Sequence, residues 1–170
     1  MKKILIKSLC TLAIFAHCMP SLAGGTNSNS MTNTVTVAST CSITATGFTT
    51  VFDPSAPGNT DVTASVSTTC TNGAAVTITL GQGANPAGGS SDSVPLRQLS
   101  NGAGAPSYIT YAMFQDVGRT VIWGNTLATS LAVTGSGSPV SSTAYVRIPS
   151  GQSSTPGGTY TDSVVATVTF

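Results

Sequence analysis

Downstream of residue 23 the side chains able to do chemistry are few: Asp53, Asp61, Asp92, Asp116, Asp162, Arg97, Arg119, Arg147, the tyrosines, Cys41, Cys70 and many hydroxyls. The histidine, His17, and the lysines, Lys2, Lys3 and Lys7, all lie before that point, and the sequence contains no glutamate. A serine or threonine nucleophile would therefore lack an ordinary base, and a metal would lack imidazole or free-thiolate ligands. Three kinds of chemistry are left. Two aspartates could act as a glycosidase-type pair, loop aspartates could hold calcium, and the two cysteines could join in a disulfide. Against the first, aspartates in "FDPS", "GNTD", "SSDS" and "YTD" sit beside turn residues, where Asx-turn hydrogen bonding is the commoner role. Against the second, there is no EF-hand and no glycine-rich nonapeptide repeat. The expectation is a non-enzymatic chain with no cofactor and no metal.

The disulfide is the chemistry the rest of the sequence supports. Lys2, Lys3 and Lys7 flank a run through Ile4, Leu5, Ile6, Leu9, Leu12, Ile14 and Phe15, and Ser21-Leu22-Ala23 offers small residues where a signal peptidase reads. Residues 1–23 are thus expected to be a secretory signal peptide, with cleavage after Ala23. The apolar run, at roughly 10 to 14 residues, is too short to span a bilayer, which takes ~20. Cleavage would discard Cys10 and Cys18 and leave Cys41 and Cys70 as a pair in an exported chain. Free thiols fit an oxidising compartment poorly, so one disulfide is expected. It would close a loop of about 30 residues, worth roughly 3.5 kcal/mol by the chain-entropy model. The remaining chain is slightly acidic, with no basic patch for nucleic acid or an anionic membrane surface.

The elements that must position these residues read as strands. Met31, Asn33, Val35, Val37, Ser39, Cys41 and Ile43 alternate with Thr32, Thr34, Thr36, Ala38, Thr40 and Ser42, so residues 31–44 read as one long strand or two in series. Further strands are expected over residues 62–70, 76–80, 108–115, 120–123, 131–133, 144–149 and 160–170, each rich in Val, Ile, Thr or aromatic residues. Between them lie "DPSAPGN", "GQGANPAGGSSDS", "SNGAGAP", "GSGSP" and "PSGQSSTPGG". Short strands with turn signals between them argue for an all-β, immunoglobulin-like sandwich. The polar leader "GGTNSNS" precedes it.

In the last stretch, "GTYTDSVVATVTF", Val164, Ala166, Val168 and Phe170 share one face and Thr167 and Thr169 the other, the pattern of a half-buried strand. In "YAMFQDVGRTVIWGN", Trp123 could stack on a sugar, but a hairpin-like pair with aromatics in the core and Asp116 paired with Arg119 across the turn is the favoured reading. Arg97 with Leu99 in "RQLSNG" reads as a strand anchor.

Taken in order, Cys41 followed by "GFTTVFDPSAP", the strand ending at Cys70, "VTITLGQG", "PLRQLSNG", "YAMFQDVGRTVIWGN" and "RIPSGQSSTPGGTYTDSVVATVTF" resemble the spore coat protein U-like domain, the subunit domain of archaic chaperone-usher pili. The resemblance covers residues 31–170, and its closing segment is the most specific part. Asn33 departs from it as a polar residue on an apolar face.

The resemblance implies an incomplete immunoglobulin-like sandwich lacking its last strand, completed first by a periplasmic chaperone and then by a neighbouring subunit, delivered through an outer-membrane usher. It implies a division into signal peptide 1–23, an N-terminal extension 24–39 acting as donor strand through Met31, Val35 and Val37, and a pilin domain 40–170. Val164, Ala166, Val168 and Phe170 would form the chaperone-facing last strand. The implied protein is a shaft or adaptor subunit of a secreted surface pilus or coat, supporting adhesion and biofilm formation. A stand-alone secreted carbohydrate-binding module is the alternative.

Overall fold

The computed structural model describes residues 24–170, and the expected signal peptide lies outside the described residues. The chain divides into a unit ending at Thr36 and a unit spanning Val37–Phe170. In the first, residues 24–36 have no regular secondary structure and exposed side chains. The expected strand over residues 31–44 is corrected here: regular structure begins only at Cys41. Alternation makes a segment able to pair but does not supply the partner strand.

The second unit is an all-antiparallel, immunoglobulin-like sandwich of eight strands: β1 (Cys41–Thr46), β2 (Thr60–Cys70), β3 (Ala75–Leu80), β4 (Arg97–Ser100), β5 (Tyr108–Phe114), β6 (Leu131–Thr134), β7 (Pro139–Ile148) and β8 (Ala166–Thr169). One sheet has the order β1-β2-β7-β5-β4, the other β6-β3-β8. The period-two pattern explains the layers. Val66 and Cys70 of β2, Ile109, Tyr111 and Met113 of β5, and Ala144, Val146 and Ile148 of β7 point from the larger sheet into the core. Val76, Ile78 and Leu80 of β3 meet them from the smaller one. Such side chains each contribute about 1.5–3 kcal/mol through burial.

Several elements differ from the sequence pattern, and β4 (Arg97–Ser100) is not among the expected strands. β7 starts at Pro139, because its Ser142 is a small inward-facing residue that fills the core without looking apolar in sequence. Residues 120–123 contribute only an isolated bridge, Phe114 to Ile122. Residues 160–165 run beside the sandwich with one bridge, Ser100 to Thr161, before β8 begins at Ala166.

β1 ends the larger sheet and β8 ends the smaller one. The two lie near each other across the sandwich. No strand among the described residues occupies the outer edge of either, so that side of the sandwich is open.

Candidate interaction groove

Two buried side chains hold the two sheets together. Trp123 is 0% exposed, and its indole Nε1 donates to the Ile78 carbonyl at 2.9 Å while its own amide donates to Met113 at 3.0 Å. It thus bridges β5 and β3. Arg97, 1% exposed, donates from Nε to Gly81 O at 2.8 Å and from Nη2 to Leu80 O at 2.9 Å and Trp123 O at 2.8 Å. The anchoring role read from the sequence holds. Burial lowers the proton affinity of the Arg97 guanidinium, and the nearby Tyr111 and Asp162 oppose that shift.

Asp162 ties the segment before β8 to the rest of the unit. Its Oδ2 accepts from the Tyr111 hydroxyl at 2.6 Å, and its Oδ1 accepts from the Ala84 amide at 2.8 Å and Asn85 Nδ2 at 3.4 Å. Burial, then the bond to Asp162, raises the Tyr111 phenol well above its ordinary value, so it stays a donor. Gly83 makes room for this arrangement. Its φ is +88°, and a Cβ there would collide with Asp162 Oδ2.

Tyr111 and Asp162 both line a groove of about 780 Å³. One wall is Ala45, Thr46 and residues 47–52, including Phe48 and Phe52; the other is residues 155–164 with Ala166. Leu80, Ile109, Tyr111, Met113 and Ile148, all core residues, line it as well. Phe48 meets Tyr111 edge to face at 5.8 Å between ring centroids. The groove therefore opens the hydrophobic core along the side between β1 and β8, with a long strip of apolar surface next to unpaired strand edges.

The residues singled out from sequence fall into three groups. Cys41 and Cys70 are cross-strand partners at the end of the β1–β2 ladder and are joined in a disulfide. Val164 and Ala166 line the groove, and Val168 packs half-buried against the core. Phe170 is set apart from them: it is 55% exposed and lies in a shallow depression with Ala75, Val76 and Val133 at the end of the smaller sheet. Met31, Val35 and Val37 are 84%, 88% and 78% exposed.

The sequence pattern did not reveal the groove-lining roles of Phe48, Phe52, Tyr111, Tyr160 and Asp162. The one available signal was the pair of aromatics in "GFTTVF", two phenylalanines four residues apart in a stretch otherwise rich in Gly and Thr.

Elsewhere the polar groups are structural. Asp53 accepts from the Ser55 amide and hydroxyl at 2.9 and 2.7 Å, the Asx-turn role expected. The expected Asp116–Arg119 pair is corrected. Asp116 instead accepts from the Thr120 and Val121 amides at 2.9 and 2.7 Å, closing the turn. Arg119, at a φ of 57°, turns away to meet Asp61 at 3.3 Å and the Tyr145 ring at 5.9 Å. Arg147 grips Asp61 with two bonds of 2.8 Å across the β2–β7 ladder. Trp123 does not form a sugar platform, because its ring is sealed in the core.

Comparison with known proteins gives three likenesses. A family model described as the Spore Coat Protein U domain matches residues 27–167. Protein U of Myxococcus xanthus is 47% identical over 108 residues, which is 64% of this chain and 59% of that protein. Among solved structures, one chain of the CsuC–CsuE chaperone-tip adhesion subunit pre-assembly complex from the archaic chaperone-usher Csu pili of Acinetobacter baumannii matches with a TM-score of 0.54 at 19% identity. That match covers 79% of this chain and 40% of the other, and at such identity it is a likeness of fold.

Proposed function

The chain belongs to the Spore Coat Protein U domain family, and from that premise we propose that it is a structural subunit of a surface pilus or coat. Its neighbours in the fibre are held by strand donation into the groove between β1 and β8. The observation that carries this reading is the groove itself: core residues Leu80, Ile109 and Ile148 line a channel flanked by the end strands of both sheets. An extended segment laid there would pair with free backbone edges and bury apolar side chains at the same time, the logic of β-strand addition.

The leader supplies such a segment, with Met31, Val35 and Val37 on one face of an alternating stretch. A subunit that donates one strand and accepts another makes a head-to-tail contact that does not close, and such contacts build fibres. The pilus complex that shares the fold supports a chaperone as the first occupant of the groove. In this reading the chaperone's strand runs along β8, with Phe170 as an apolar anchor beyond Val168, and an outer-membrane usher then exchanges it for the next subunit's leader. The subunit acts in the shaft or as an adaptor, and the fibre supports adhesion and biofilm formation. The family is a structural one, and the role proposed needs no catalysis, cofactor or nucleic acid.

Export through the periplasm follows from the amino-terminal pattern, and the exported form should begin at Gly24 on sequencing; a start before residue 18 would contradict it. The functional reading is tested by producing the exported chain with and without a chaperone encoded beside it. Without the chaperone the subunit should aggregate or be degraded. A soluble, stable monomer would contradict strand donation and favour a self-contained binding module.

A further inference from the structure

We propose that a donated strand is seated in one register by Asn33 of a second copy of this chain, which meets Asp162 at the polar point of the groove; this rests on the strand-donation reading above. Along the wall that leads into β8, Tyr160, Asp162, Val164, Ala166 and Val168 are the half-buried positions, alternating with exposed ones. Apart from Asp162 the row is aliphatic or aromatic, and Asp162 lines the groove. The leader carries a row with the same spacing: Met31, Asn33, Val35 and Val37, apolar except for Asn33. In each row the single carboxylate or amide side chain stands second; the Tyr160 hydroxyl beside Asp162 is already engaged, donating to the Pro156 carbonyl at 2.8 Å.

Apolar alternation alone does not choose among registers two residues apart, since each buries the same face. A polar pair in an apolar seam does choose, because every other register separates it. The carboxylate of Asp162 offers about four acceptor positions. Three are taken by Tyr111, Ala84 and Asn85. A side-chain amide from Asn33 fills the fourth. A slip by two residues would instead cover the carboxylate with Met31 or Val35 and press the Asn33 amide against Tyr160 or Val164. The carboxylate would keep its three bonds from Tyr111, Ala84 and Asn85 but lose the fourth under an apolar cover, and the Asn33 amide would be buried without a partner, which is costly. The same pairing is available to a donated strand of either direction, because Met31 and Val35 flank Asn33 as Tyr160 and Val164 flank Asp162.

Cysteine trapping tests the register in fibres grown from full-length chain with its own assembly partners. Val164→Cys is combined in turn with Met31→Cys, Asn33→Cys, Val35→Cys and Val37→Cys. Directly opposed positions lie about 5 Å apart at Cβ and can be bridged, whereas a two-residue offset exceeds disulfide reach. With Asn33 opposite Asp162, the intermolecular bond forms at Met31→Cys or at Val35→Cys, depending on strand direction. Cross-linking focused on Asn33→Cys or Val37→Cys would overturn the register while leaving strand donation intact. No intermolecular bond from any of the four would also overturn this register, because an antiparallel strand slipped by two residues sets Asn29 opposite Val164. Adding Asn33→Leu to the Met31, Val35 and Val37 cysteine pairs should spread the cross-links over neighbouring registers. An unchanged focus would overturn Asn33 as the determinant.

Discussion

The Tyr111 hydroxyl donates a 2.6 Å hydrogen bond to Asp162 Oδ2, joining the middle of β5 to the segment that forms one wall of the groove. The partners are 51 residues apart in sequence. Hydrogen bonds to a charged acceptor contribute about 1.5–3 kcal/mol. Tyr111→Phe should therefore lower the unfolding free energy of a strand-completed subunit by about 1–3 kcal/mol, read from denaturant midpoints at unchanged slope. It should also speed amide exchange in residues 160–165. Unchanged exchange there would show that the bond does not hold the wall.

The Cys41–Cys70 bond fastens β1 to β2 at one end of the open side. Its removal frees the edge strand that forms part of the groove wall. Cys70→Ser should cost roughly 3.5 kcal/mol by the loop-entropy model and reduce subunit yield after export. Peptide mapping without reductant should recover the two cysteine peptides linked. Free thiols in the exported protein would contradict this.

Asp61 gives the sandwich a defined acid sensitivity. The paired bonds from Arg147 hold its carboxyl below the ordinary carboxylate range, with Arg119 adding to the effect and partial burial opposing it. A carboxylate depressed in the folded state stabilises the fold above its unfolded pKa and loses that contribution as pH falls through the folded value. Thermal stability should therefore drop as pH falls below about 4, and Asp61→Asn should flatten the drop. The effect is modest because the pair is solvent-exposed. Identical pH profiles for the two proteins would exclude Asp61 as a contributor.

The sheets were legible in the sequence where inward residues are visibly apolar. Val76, Ile78 and Leu80 of β3 and Ile109, Tyr111 and Met113 of β5 alternate as a sheet demands, and both strands stand where the pattern puts them. The first half of β7 is hidden in the sequence because Ser142 does not look like a core residue, although it is buried. The leader shows the opposite error. Its valines and threonines alternate strongly, yet the structure gives residues 31–36 no strand, because pairing depends on a partner that composition does not encode.

The groove was legible only through resemblance to a family. Its walls come from residues 45–52 and 155–166, far apart in sequence, and periodicity says nothing about which strand edges stay free. Phe170 shares the alternation of Val164, Ala166 and Val168 but not their half-burial: it is 55% exposed, in a separate depression at the end of the smaller sheet. Asp116 and Arg119 looked like a pair because they flank a turn; backbone amides nearer to Asp116 took its acceptors first.

Strand donation is tested most directly by supplying the strand within the chain. A copy of residues 28–39 is fused behind Phe170 through a flexible linker long enough to return along β8, and its thermal unfolding is compared with that of the same fusion carrying Val35→Asp in the added copy. Burying Met31, Val35 and Val37 contributes roughly 1.5–3 kcal/mol each before the cost of ordering the segment. The native fusion should be a soluble monomer, resistant to heat and unable to enter fibres, while the Val35→Asp copy, which puts a charge into the groove, should lose that resistance. Equal unfolding temperatures for the two fusions would contradict the account.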